Sequence, residues 1–95
     1  MAVKVMIKRK LAAGQIRELD ELLRKMRALT INQKGYISGE SFNQVDREGV
    51  SLVISTWQSL EDWREWAANP QRKAVQDQID TLLGEPTSYE IFANG

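Results

Sequence analysis

The sequence predicts an α+β fold in which a four-stranded antiparallel sheet is covered on one side by helices, and three observations carry that expectation. Four segments alternate apolar with polar side chains or are rich in β-branched residues. Two stretches repeat apolar residues at steps of three and four. Their order along the 95 residues is β-α-β-β-α-β.

In residues 3–9, Val3, Val5 and Ile7 point one way and Lys4, Met6 and Lys8 the other, as a strand requires. From residue 15 to about residue 30, Ile16, Leu19, Leu22, Leu23, Met26 and Leu29 form an apolar stripe opposite Arg17, Glu21, Arg24 and Lys25. This is an amphipathic helix, and Gly35 is expected to stop it, because glycine tolerates the left-handed conformation in which helices often end. Residues 36–44 and 50–57 read as a hairpin turned at Asp46-Arg47-Glu48-Gly49. Ser59 is placed to cap a helix, with Asp62 as its capping-box partner and Trp63 and Trp66 on one face. Asn69-Pro70 divides that helix from a second segment over residues 70–83, since proline suits a first turn and drives the residue before it out of helical conformation. There Val75, Ile79, Leu82 and Leu83 face inward. Gly84 closes the segment, Pro86 prevents its resumption, and residues 87–92 form the last strand.

An antiparallel sheet in this order, with both helical stretches on one face, is the split βαβ or ferredoxin-like arrangement. It leaves the other face bare. Met6, alternate residues of 50–55 and one of the two side-chain sets of the last strand must point there. That much exposed apolar surface is unusual on a monomer, so a homodimer joined through the sheets is expected.

Composition limits the chemistry. With 42% hydrophobic and 27% charged residues the chain is of ordinary globular type, and its length suits a single domain over residues 1–95. No apolar run approaches the about 20 residues of a membrane span. The first strand's lysines and arginine interrupt any signal-like stretch, so neither a membrane nor a leader is expected and the cytoplasm is the expected compartment. There is no cysteine and no histidine, which removes thiolate chemistry and the commonest metal ligand and neutral-pH proton carrier. Glu40, Asp46 and Glu48 match no calcium-loop spacing, and no metal site is expected. Residues 1–34 hold nine Lys/Arg against three Asp/Glu, and the remainder four against ten. The basic residues of the helix are interleaved with acidic ones, and the third strand offers no aromatic for base stacking, so no nucleic-acid partner is expected.

The segments Gly-Tyr-Ile-Ser-Gly-Glu at 35–40, Leu-Val-Ile-Ser-Thr-Trp-Gln-Ser at 52–59, Trp-Arg-Glu-Trp at 63–66, Asn-Pro-Gln-Arg at 69–72 and Glu-Pro-Thr-Ser-Tyr-Glu at 85–90 resemble the antibiotic biosynthesis monooxygenase (ABM) family in order and spacing. That resemblance implies a dimeric α+β barrel with a pocket between sheet and helices in each protomer. It also implies one of two oxygenase chemistries: oxygenation of a small aromatic, phenolic or quinol substrate without a cofactor, or haem degradation. The haem-degrading pattern has a first-strand asparagine, a tryptophan, and a haem-ligating histidine ten positions after it. Trp66 matches the tryptophan, but Gln76 stands at the histidine position and Ile7 at the asparagine, so haem is not expected.

For the remaining chemistry the substrate supplies the electrons, and the protein need only hold a phenolate-like donor, stabilise its charge and exclude water. Trp66 and Arg72 are the candidate catalytic residues; Tyr36, Phe42, Trp63, Asn69 and Gln76 are the candidate substrate contacts. All but Phe42 have a structural alternative: the tryptophans as core, Tyr36 as a buried ring, Asn69 as a helix cap, Arg72 and Gln76 as solvated surface. For the whole chain the alternative is a non-catalytic, small-molecule-binding or stress-associated barrel on the same scaffold.

Overall fold

The computed structural model describes residues 1–11 and 16–94. Strand β1 (Val3–Lys10) leads to helix α1 (Ile16–Thr30), strands β2 (Tyr36–Asn43) and β3 (Val50–Trp57), helices α2 (Leu60–Ala67) and α3 (Pro70–Leu83), and strand β4 (Ser88–Ala93). Gln15, where the first helix was expected to begin, lies outside the described residues, as does the side chain of Ile16. The sheet runs β2-β3-β1-β4 with every pair antiparallel, the ferredoxin-like order.

The second helical stretch is two helices, and the break falls where proline chemistry demands it. Asn69 is extended (φ −65°, ψ 128°), and its Oδ1 accepts from the N–H groups of Gln71 at 2.9 Å and Arg72 at 3.2 Å, with Pro70 in the first turn. Ser59 caps α2 in the same way, its Oγ accepting from Asp62 N–H at 3.1 Å. Gly84 ends α3 in the left-handed conformation at φ 77°.

Gly35 serves a different end from the expected one. Helix α1 stops at Thr30, where Thr30 Oγ1 donates to the Met26 carbonyl at 2.6 Å and Gln33 Nε2 to that of Leu29 at 3.0 Å. Side chains thus satisfy the terminal carbonyls that a glycine cap would otherwise leave to the backbone. Gly35, at φ 84°, lies in the tight turn into β2, where a Cβ would fall inside the Asp62 carboxylate.

Sheet register assigns the faces. Val3, Val5, Ile7 and Arg9 of β1 pair with Trp57, Ser55, Val53 and Ser51 of β3, and this side faces the helices. Trp63 and Trp66 of α2 pack on it with Val3, Val5, Ile7 and Trp57. Helix α1 instead leans on α3, where Leu19 meets Val75 and Ile79 in a second cluster. Met26 and Leu29 touch both clusters and join them. The opposite face carries Lys4, Met6 and Lys8 of β1 beside Thr56, Ile54 and Leu52 of β3, and among the described residues no helix covers it.

Gly35 and Gly84 share a positive φ but differ in surroundings, since nothing lies within 4 Å of a Cβ at Gly84. Gly84→Ala is expected to lower stability by about 1 kcal/mol from backbone conformation alone. Gly35→Ala, which must also displace Asp62, is expected to cost about 2 kcal/mol or more in the same urea-denaturation series.

Candidate functional site

Because α1 rests on α3, the space between α1 and the sheet is not filled, and a cavity of about 440 Å³ lies there. Ile7 and Val53 from the sheet and Leu23 and Met26 from α1 supply its aliphatic walls. One side is aromatic and continuous. Tyr36 meets Trp57 edge-on with centroids 5.5 Å apart, Trp57 meets Trp63 at 5.7 Å, and behind the wall Trp63 meets Tyr89 at 5.8 Å. These separations suit the ring quadrupoles, and Trp66, also buried, adds to the same wall.

Into this apolar enclosure come two buried guanidinium groups. Arg72, on the first turn of α3, is 6% exposed; its Cζ lies 5.3 Å from the ring centroids of both Trp63 and Tyr89, and its Nη2 donates to Tyr89 Oη at 2.7 Å. Cation–π attraction thus offsets part of its desolvation. Arg9, at the last inward register of β1, is 5% exposed and donates from Nη2 to Gln76 Oε1 at 3.3 Å. Burial lowers the Arg9 pKa from its ordinary value; Tyr89 and Asp80 oppose that shift and Arg72 adds to it. An arginine nonetheless stays a cation at neutral pH.

Gln76 is held at both ends of its amide. Its Nε2 donates to Asp80 Oδ1 at 2.8 Å and Thr87 Oγ1 at 2.7 Å. Asp80 Oδ1 also accepts from Thr87 N at 3.1 Å and Thr87 Oγ1 at 2.7 Å. The network runs from β1 through α3 to the segment before β4. It fixes the amide so that its oxygen faces Arg9. Arg27, from the last turn of α1, lines the cavity from the exposed side and reaches Ser41 Oγ of β2 at 3.4 Å. Among the described residues the cavity lining therefore holds three arginines and no carboxylate.

Of the residues singled out in the sequence, Tyr36, Trp63, Trp66, Arg72 and Gln76 come together on this cavity. Phe42 and Asn69 do not. Phe42 stands beside Leu52 on the uncovered side of the sheet, 45% exposed, and borders a smaller cleft of about 280 Å³. The Asn69 carboxamide oxygen is committed to capping α3. Arg72 and Gln76 are buried polar residues and not solvated surface.

Sequence reasoning missed Arg9, Trp57 and the hydroxyls of Thr30, Ser41 and Ser55, which also line the cavity. Arg9 had a signal: it continues the odd-numbered inward series of Val3, Val5 and Ile7. Ser55 is held by its neighbour, Trp57 Nε1 donating to its Oγ at 3.0 Å.

Fold and cavity together define a small α+β domain with a ligand-sized, arginine-bearing chamber between sheet and helices. The chain belongs to the antibiotic biosynthesis monooxygenase family, whose sequence profile matches residues 2–78. No curated protein sequence matches it. Solved structures share its fold at low identity. A conserved protein from Methanosarcina mazei Go1 superposes with a TM-score of 0.91 at 14% identity, covering 100% of this chain and 94% of that one. SnoaB, a cofactor-independent oxygenase from Streptomyces nogalater, superposes with a TM-score of 0.85 at 15% identity, covering 99% and 93%. Rv0793 from Mycobacterium tuberculosis gives 0.86 at 20% identity, covering 100% and 96%.

The Arg9–Gln76 contact is measurable as a coupling. Gln76→Leu removes the acceptor while leaving the buried charge, and a loss of about 2–4 kcal/mol of stability is expected. Adding Arg9→Met to Gln76→Leu should cost less than the sum of the two single changes, read from a double-mutant cycle in urea; strict additivity would show that the contact is energetically idle.

Proposed function

We propose that the protein is a cofactor-independent oxygenase of a phenolic or quinol aromatic, which it holds in the cavity between sheet and α1, and that it works as a homodimer joined through the uncovered sheet face. The observation that carries the catalytic reading is fixed positive charge in an aromatic, largely apolar chamber with no carboxylate in its described lining. Such a site favours the deprotonated form of a phenol, because a preorganised cation stabilises an oxyanion far better there than in water. A phenolate is the electron-rich form that can reduce dioxygen directly.

The balanced conversion takes a phenol with an unsubstituted ring carbon and one dioxygen. The hydroxyl proton leaves to water as Arg72 neutralises the developing charge, and electrons pass from the phenolate to dioxygen. A C–O bond forms at the ring carbon, the O–O bond breaks, and the ring C–H is lost. One oxygen atom remains as the new carbonyl and the other departs as water, so a quinone is the product and all four electrons come from the substrate. Trp66 and Trp63 would bracket the ring, and the aliphatic walls would keep water from the intermediate. Family membership and the fold shared with SnoaB support this reading. Haem does not fit, since Gln76 is engaged by Arg9, Asp80 and Thr87 and no histidine exists to replace it.

Assembly is supported by the chemistry of the uncovered face. Met6, Leu52 and Ile54 form its apolar centre, with Phe42 and Phe92 still 45% and 47% exposed. Around them stand Lys4 and Lys8 on β1, Glu40 on β2 and Glu90 on β4, two charges of each sign. A two-fold axis through such a face can set lysine against glutamate across an apolar seam.

Oxygen-electrode assays with a panel of naphthols and hydroquinones test the catalytic reading. Uptake is expected from at least one of them, with kcat/KM falling about 10²–10³-fold in Arg72→Met. Binding without oxygen uptake across the panel would instead favour a non-catalytic binding protein. In sedimentation equilibrium at low micromolar concentration, a mass of twice 10.9 kDa is expected, reverting to 10.9 kDa in Ile54→Lys. A lone 10.9 kDa particle for the wild type would remove the dimer.

A further inference from the structure

Arg9 has no role in the conversion above, and its position asks for one. The residue is 5% exposed and lines the cavity, and among the described residues its side chain makes one hydrogen bond, to a neutral amide oxygen at 3.3 Å. Its Nε is fully enclosed and has no hydrogen-bond partner among the described residues. Leaving a buried donor unmade is costly, and leaving a buried charge without a counter-ion more so. The nearest acid of the network, Asp80, relieves it only through space: its Oδ1 receives hydrogen bonds from Gln76 and from both donors of Thr87, and none from Arg9. Arg72, by contrast, is matched by two aromatic faces and a phenolic oxygen. Two arginines in one chamber thus differ, one provided for by the protein and the other not.

We infer that Arg9 is a carboxylate anchor, and that the compound taken into this cavity is an aromatic acid: a planar ring system bearing a carboxylate that meets the Arg9 guanidinium while the ring lies along the wall of Trp57, Trp63 and Trp66. The inference rests on the ligand-binding part of the proposed function and not on turnover. A carboxylate supplies both things that Arg9 lacks, an opposing charge and acceptor lone pairs suited to the guanidinium fork. The lowering of its pKa by burial fits a cation awaiting a counter-charge. Gln76 acts as a positioning residue, since its clamped amide holds the guanidinium toward the chamber without neutralising it. Arg72, whose partners are all uncharged, keeps its positive charge for the hydroxyl that becomes a phenolate. One site would hold two oxyanions of one molecule on two different cations.

The test is calorimetric titration of the full chain under argon, so that no oxidation intervenes, with 2-naphthoate, 2-naphthamide and 2-naphthol. These share a ring system and differ in the group presented. Naphthoate is expected to bind roughly tenfold or more tightly than either neutral compound, as a charge-assisted hydrogen-bonded pair implies. In Arg9→Gln that preference should collapse while naphthamide affinity holds, and Arg9→Lys should restore part of it. A phenol that ionises near neutrality and colours as its phenolate separates the two oxyanions: Arg72→Met should abolish its spectral shift on binding, and Arg9→Gln should spare it. Equal affinity for naphthoate and naphthamide in the wild type, or an unchanged ratio in Arg9→Gln, would overturn the inference. Should Arg9→Gln fail to fold, the wild-type ratio alone decides. If naphthoate is preferred but no phenol consumes oxygen, the oxygenase reading falls and the anchor stands. If oxygen is consumed but naphthoate gains nothing over its amide, the reverse holds.

Discussion

A guanidinium at an inward register of a central strand is the constraint around which the polar part of this structure is organised. Arg9 occupies a position that alternation assigns to the core, where an isolated charge is among the most expensive things a protein can bury. Direct pairing with a carboxylate would solve the problem and also cancel the charge. The chain places the acid one residue further away, so that Arg9 meets Gln76, Gln76 meets Asp80, and Asp80 collects the donors of Thr87. Negative charge is near enough to moderate the field and too far to quench it. A neutral amide can accept from a cation at one end and donate to an anion at the other.

The chamber in which this happens follows from how α1 is packed. An amphipathic helix laid directly on the sheet would have buried its stripe against Val53 and Ile7 and left no room. Leu19 instead meets Val75 and Ile79 of α3, and two apolar clusters form where a single one would have filled the space. Leu23 and Met26 remain half-buried and become cavity wall. Lost packing of this kind has a stability cost, and sites for ligands are where proteins accept it.

The strands, both helical stretches and the Asn69-Pro70 break were legible because periodicity, capping and proline chemistry are local. What failed was phase. Tyr36 and Phe42, both candidates for an aromatic wall, have the same parity, and regular alternation would put both on one face. A register irregularity between Tyr36 and Ser38 reverses the alternation, so Tyr36 faces the helices with Gly39 and Ser41 while Ser38, Glu40 and Phe42 face away. An extra residue in one strand is a pairing property, and nothing in the local pattern of β2 announces it. Arg9 failed for the opposite reason. Its parity was visible beside Val3, Val5 and Ile7, but a cation between Lys8 and Lys10 reads as part of a solvated run. Composition overrode periodicity where periodicity was right.

Strand β1 therefore presents two chemically different faces on one backbone. Its odd residues wall the chamber and supply the unmatched cation, while its even residues, Lys4, Met6 and Lys8, belong to the face proposed for assembly. A slip of one residue would exchange these sets, driving two lysines against the tryptophans and exposing Val5, Ile7 and Arg9 together. No graded adjustment lies between the two registers, because side-chain direction in a strand has only two values. Being paired on both sides, by β3 along all eight residues and by β4 along six, holds β1 in one of them. The same pairing means that the chamber face and the face proposed for assembly can be altered by single substitutions of opposite parity, yet can never be moved relative to each other along the strand.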